Sequence, residues 1–171
     1  MNKPLKIGIA GLGTVGAGVV KLLAKHNRLL GVRGGRPIEI VAVTARSKAK
    51  KRGIDLKGAR WESDPLKLAT AKDIDCVVEL IGGSDGVARK LIETAIANGK
   101  HVVTANKALL AMHGARIAAA AEKKGVTVAF EAAVAGGIPI IKSLREGLVG
   151  NRVTRLYGIL NGTCNYILTT M

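Results

Sequence analysis

Three stretches of this chain carry residue types that do chemistry when a fold gathers them. The first is Gly11-Leu12-Gly13-Thr14-Val15-Gly16, a G-x-G-x-x-G pattern between an apolar run, Leu5 to Ala10, and a helix-like stretch that opens at Thr14. In that setting the pattern binds the pyrophosphate of a dinucleotide. The first glycine makes a tight turn, the second lets the phosphates approach the backbone, and the third lets helix and strand pack closely. Unpaired N–H groups and the positive end of the helix dipole then face the anion. The second stretch, Ala45-Arg46-Ser47-Lys48, follows a β-branched run from Ile38 to Thr44. A site for a free ribose 2′-hydroxyl usually carries Asp or Glu there. This chain has neither, and Arg46 and Lys48 follow the run directly. A guanidinium grips a phosphate through paired charge-assisted bonds. The expected cofactor is therefore NADP, with NAD possible.

The third set lies downstream, at the ends of three further apolar runs: Glu79-Leu-Ile-Gly82-Gly83, Thr104-Ala-Asn106-Lys107, and Glu131-Ala-Ala-Val134-Ala-Gly136-Gly-Ile138-Pro139. Ligands of open parallel sheets collect at such strand ends. Gly82 is expected beside the cofactor. Lys107 stands where a strand gives way to a helix, facing the cleft where such ligands collect. Thr104 and Asn106 are placed either to align the nicotinamide or to cap the helix. A carboxylate followed by a small-residue loop, as at Glu131, can turn several carbonyls onto one hard cation, or can simply close a strand end.

The elements that must position these residues alternate regularly. Strands are expected at Leu5–Ala10, Ile38–Thr44, Asp75–Ile81, His101–Thr104 and Val126–Glu131. Helices are expected from Thr14 to Leu30 with a stop near Gly31, after Ser63-Asp-Pro65, from Ser84 to Asn98, and from Asn106 to Lys124 before Gly125. Beyond them, Ile140 to Leu148 reads as helical and Arg152 to Leu160 as a strand, and Asn161-Gly162-Thr163 opens a last helix. The β-α-β alternation predicts an α/β fold, a Rossmann-type doubly wound parallel sheet. That last helix has barely begun at Met171, which reads as an element cut short.

Composition narrows the function classes. Aromatics are 2% of the 171 residues, so the core must rest on Val, Ile, Leu and Ala, as suits parallel strands covered on both faces. The net charge of +15 raises nucleic acid as a partner, but the cations are scattered and the stacking aromatics are missing, so none is expected. A positive field also attracts an anionic cofactor. Ile7 to Val20 is uncharged after Lys3 and Lys6, but glycines at 11, 13, 16 and 18 argue against a signal peptide. No uncharged run reaches the ~18 residues of a membrane span, and no membrane partner is expected. Cys76 and Cys164 have no metal or redox spacing, Cys76 reads as a core residue, and the expected compartment is the cytoplasm.

Five segments together resemble the homoserine dehydrogenase family: I-x-G-L-G-T-V-G at 9–16, E-L-I-G-G at 79–83, H-V-V-T-A-N-K at 101–107, E-A-A-V-A-G-G-I-P at 131–139 and N-G-T-x-N-Y-I-L at 161–168. They occur in family order across nearly the whole chain. The resemblance implies NADP-linked or NAD-linked interconversion of aspartate 4-semialdehyde and homoserine, a step toward threonine, methionine and isoleucine. It implies that Lys107 lies at nicotinamide and substrate, as cofactor contact or acid. It implies that Glu131 and the carbonyls of Val134, Gly136 and Ile138 hold a sodium ion, and that Asn161, Gly162 and Thr163 help bind the amino-acid end of the substrate. It divides the chain into a cofactor domain, residues 1–132, and a hinge with the beginning of an α+β substrate and dimerisation domain, residues 133–171. It further implies a homo-oligomer when full length, a further acidic residue and a second lysine in a region past residue 171, and exposed apolar surface near 140–171 here. The alternatives are a non-catalytic NADP-binding subunit or sensor, and a related dehydrogenase of another small aldehyde or amino acid.

Overall fold

The computed structural model describes residues 2–158 and 167–171. Six parallel strands form one sheet: β1 (Leu5–Ala10), β2 (Ile38–Thr44), β3 (Arg60–Trp61), β4 (Cys76–Glu79), β5 (His101–Thr104) and β6 (Val128–Ala129), in the spatial order β3-β2-β1-β4-β5-β6. Parallel neighbours cannot be joined by tight hairpins, and helices make several of the crossings: α1 (Thr14–Gly34), α2 (Leu66–Thr70), α3 (Val87–Ala97) and α4 (Lys107–Lys124). The chain builds outward from β1 to β3, then returns to β1's other side for β4. That reversal opens a crevice at the carboxyl ends of β1 and β4. This is the doubly wound α/β architecture expected from the alternation of elements.

Alternation along the strands divides the core into two layers. Ile7, Ile9, Val43, Cys76 and Val78 pack with Val20 and Leu23 of α1. On the opposite face, Ala10, Ala42, Val77 and Val102 pack with Leu68 of α2, Leu91, Ile92 and Ile96 of α3, and Leu109 and Ile117 of α4. Between β1 and β2 the register slips by one: Ile7 faces Ile40 and Gly8 faces Ala42, so Val41 is passed over.

Several boundaries differ from expectation. β3 was not anticipated; it is two residues paired with Ala42 and Val43. The third expected strand shortens to β4, and the fifth to β6, after which Glu131 already opens a 3₁₀ turn, Glu131–Ala133. The α1 helix runs through Gly31 and ends at Gly34, with non-helical backbone at His26 and a left-handed cap at Gly35, φ 74°. The helix expected over 140–148 is a short turn, α5 (Ile140–Lys142), followed by a π turn, Ser143–Gly147. The strand expected from Arg152 does not form over 152–158, which is exposed and unpaired in any sheet. As expected, the region after 140 exposes apolar side chains, among them Leu148, Val149, Leu156 and Leu168. No helix among the described residues is long and apolar enough to cross a membrane.

Candidate cofactor site

The glycine loop leaves the end of β1 and turns into α1. Gly11 has φ 100°, and a Cβ there would stand 2.4 Å from the carbonyl oxygen of Leu80, just past β4. A Cβ on Gly16 would stand 1.9 Å from the carbonyl oxygen of Gly11. Both positions exclude any side chain, so the loop is pressed between α1 and the end of β4. At Gly13 nothing lies within 4 Å of a built Cβ. This is the one glycine of the pattern whose missing side chain leaves open room rather than relieving a clash. Gly13 caps α1, no side chain among the described residues bonds the orphan N–H groups, and no acid sits in the first turn. Thr14 and Val15 are exposed at the helix start, while Leu12 is buried in the α1-side core. The loop therefore presents free donors and a positive helix end to open space, which fits a diphosphate.

Beside it, the ends of β4 and β5 are tied by a buried polar network. Glu79 is 0% exposed. Its Oε1 accepts the N–H groups of Ile81 (2.7 Å) and Gly82 (3.0 Å), and its Oε2 accepts the Thr104 hydroxyl at 2.6 Å. The Thr104 oxygen in turn accepts the Asn106 N–H, the Asn106 amide donates to the Gly83 carbonyl, and Asn106 Oδ1 caps α4 at the Leu109 N–H. Of the two roles open to Asn106, capping is observed. Thr104 instead locks onto Glu79. The consequence is a fixed path from Gly82 and Gly83 across to Lys107, the exposed first residue of α4. Glu79 was not among the expected site residues, although an acid inside the run Cys76-Val-Val-Glu79 was the visible signal.

Arg46 and Lys48 are exposed in the loop after β2. A cleft of about 690 Å³ lies beside that loop, lined by Lys48 and Arg52 with Val43, Ile54 and Trp61 among its apolar walls. The Glu131 loop lies past β6. Its carboxylate accepts the Gly137 N–H at 2.8 Å, and the backbone turns through positive φ at Ala135 (52°) and Gly137 (85°). The Ile138 carbonyl takes the Ile140 N–H, while those of Val134 and Gly136 take no hydrogen bond from another described residue. One carboxylate and several carbonyls on a tight loop are the donors a hard cation selects. No cluster of three or more His, Cys, Asp or Glu side chains suited to a metal occurs among the described residues. Asn161, Gly162 and Thr163 lie outside the described residues.

A family model described as the homoserine dehydrogenase NAD binding domain matches residues 11–131, and a second, described as homoserine dehydrogenase, matches residues 139–171. The chain belongs to the homoserine dehydrogenase family. It is 52% identical over 169 residues to the homoserine dehydrogenase of Pseudomonas aeruginosa, covering 99% of this chain and 38% of that protein. The Bacillus subtilis homoserine dehydrogenase is 43% identical over 169 residues, covering 99% of this chain and 39% of that protein. Among solved structures, the homoserine dehydrogenase from Thiobacillus denitrificans superposes with a TM-score of 0.89 at 51% identity, over 99% of this chain and 39% of that one. The chain thus spans about 38% of the length of the curated relatives it matches. In this homoserine dehydrogenase family, residues 11–131 correspond to the NAD binding domain, which supports a nicotinamide cofactor.

Proposed function

We propose that this chain is the cofactor-binding part of an NADP-dependent homoserine dehydrogenase, acting on aspartate 4-semialdehyde and homoserine in the cytoplasm, in the biosynthesis of threonine, methionine and isoleucine. The observation that supports it most is the gathering of the glycine loop, the Gly82-Gly83 turn and Lys107 at the ends of three adjacent parallel strands, β1, β4 and β5. Gly11 to Gly16 hold the diphosphate, and Arg46 and Lys48 meet the adenosine 2′-phosphate. Gly82, Thr104, Asn106 and Lys107 border the nicotinamide, whose ring supplies or accepts the hydride when bound. Lys107 gives its proton to the oxygen of the aldehyde as the carbon is reduced, and its charge stabilises the alkoxide that develops. Glu131 and the carbonyls of Val134, Gly136 and Ile138 hold a monovalent cation, sodium by the family's pattern, where the cofactor region (1–132) meets the segment 133–171. Asn161, Gly162 and Thr163 receive the amino-acid end of the substrate, and the full-length protein is a homo-oligomer.

Cofactor choice is tested by titrating the chain with NADPH and NADH. Arg46→Asp should lower NADPH affinity at least about tenfold, since a charge-assisted bond contributes roughly 1.5–3 kcal/mol, and should spare NADH. Unchanged NADPH affinity removes Arg46 from the site. The reaction is tested in a full-length protein that contains this chain. Lys107→Met should reduce kcat with aspartate semialdehyde by about 10²–10⁴-fold with little change in NADPH binding. A folded, NADPH-binding full-length protein that never oxidises NADPH with this substrate sinks the enzyme reading.

A further inference from the structure

The loop that carries Arg46 and Lys48 has little of its own to hold it. Residues 46–52 read Arg-Ser-Lys-Ala-Lys-Lys-Arg, five cations with no large apolar side chain among them. They repel one another and bury nothing. Yet Arg52 is only partly exposed, and its guanidinium is committed to backbone. Nε donates to the Leu12 carbonyl at 2.9 Å, one terminal nitrogen to the Lys50 carbonyl at 2.7 Å, and the other to the Ser47 carbonyl at 2.6 Å. Its central carbon stands 5.7 Å from the centre of the Trp61 ring. Trp61 belongs to β3 and pairs with Val43, so this ring is a platform fixed to the sheet.

Leu12 is the second residue of the glycine loop, forty positions from Arg52. One side chain thus joins the pyrophosphate loop to the 2′-phosphate loop, with a third hold on the sheet. Its bond to Leu12 has a further effect. The Leu12 carbonyl and the Gly13 N–H are the two ends of one trans peptide and point in opposite directions. A donor that fixes the carbonyl also aims that N–H away from Arg52.

We propose that Arg52 is a positioning residue: it staples the loop bearing Arg46 and Lys48 to the glycine loop, and so sets the chain's preference for a 2′-phosphorylated dinucleotide without touching the phosphate. The proposal rests on the reading of Arg46 and Lys48 as the 2′-phosphate contacts. Lysine cannot replace the staple. Its ammonium is a compact charge without the planar fork that reaches three carbonyls in two segments.

The test compares wild type, Arg52→Lys and Arg52→Met in the 171-residue chain, by nicotinamide fluorescence with NADPH and with NADH, and by amide hydrogen exchange without cofactor. Arg52→Lys keeps charge and stem, and serves if the Met variant does not fold. The expected result is that both variants lose about tenfold or more of NADPH affinity, as for a charge-assisted contact. NADH should lose less than about threefold, and residues 46–52 should exchange faster. Equal losses for both cofactors, or an intact NADPH preference in Arg52→Lys, overturn the proposal. In a wild type with no preference for NADPH, the reading of Arg46 fails and the specificity half falls with it. Exchange then judges the staple alone: faster exchange of residues 46–52 sustains it, and unchanged exchange refutes it.

Discussion

Replacing Thr104 by valine should destabilise the chain severely while changing almost no volume. Valine keeps the β-branched shape that suits β5, so strand packing is preserved. What goes is one oxygen, 1% exposed with its residue, that does two jobs. It donates to Glu79 Oε2 at 2.6 Å and accepts the Asn106 N–H at 3.0 Å. Losing a bond to a charged acceptor costs roughly 1.5–3 kcal/mol, and leaving a buried N–H without an acceptor a further 1–3 kcal/mol or so. The added methyl returns less than about 1 kcal/mol. The net loss is about 2–5 kcal/mol, a large share of the ~5–15 kcal/mol that holds a domain together. Thermal unfolding followed by far-UV circular dichroism should show Tm falling by about 5–15 °C for a chain of this length. The Asn106 side chain still caps α4, so helix content should be unchanged. A Tm within about 2 °C of wild type would show that the Glu79 carboxylate does not depend on this hydroxyl, and the linkage from β4 to Lys107 would fail with it.

The three glycines of the loop should part company under substitution. Gly16→Ala puts a methyl 1.9 Å from the Gly11 carbonyl, and must displace backbone at a cost of about 3 kcal/mol or more. Gly13→Ala meets nothing within 4 Å. It should melt within about 1 kcal/mol of wild type yet lose at least about tenfold in NADPH affinity, because the methyl stands where the phosphates approach. Wild-type binding by a folded Gly13→Ala chain refutes that placement. Burial pushes the Cys76 thiol up to about 11, so at pH 8 it is protonated and shielded. Peptide mapping after iodoacetamide should find Cys76 unmodified in the folded chain and modified in denaturant. Ready labelling of the folded chain would contradict its place in the core.

The parts of the fold that could be read from the residues are those where burial imposes a pattern. β1, β2 and β5 fall on the expected residues because strands covered on both faces must be apolar runs, and turn residues bound them. β3 offered no run: Arg60 and Trp61 pair only because the loop is carried back beside Val43. The end of α1 was misjudged because Gly31, Gly34 and Gly35 all invite a stop, and only Gly35 adopts the left-handed conformation. In the site, G-x-G-x-x-G was legible because it is local. Glu79 with Thr104, 25 positions apart, and Arg52 with Leu12, 40 apart, were not. Pairing of polar side chains across crossovers leaves no spacing to read, and a lone arginine in a basic loop looks like any solvated cation.

The sparse aromatic content gives the cofactor region an optical consequence. Trp61 is the sole tryptophan of the chain, set on the edge strand under the Arg52 guanidinium and at the wall of the cleft beside the Lys48 loop. Its emission comes from one known address. Anything that shifts the guanidinium over its ring alters that emission directly, and reduced nicotinamide, which absorbs where tryptophan emits, would accept its excitation energy when bound across the sheet. The chain therefore carries a built-in fluorophore where the Arg52 side chain joins the glycine loop to the loop after β2, and no label need be attached to watch those two loops move.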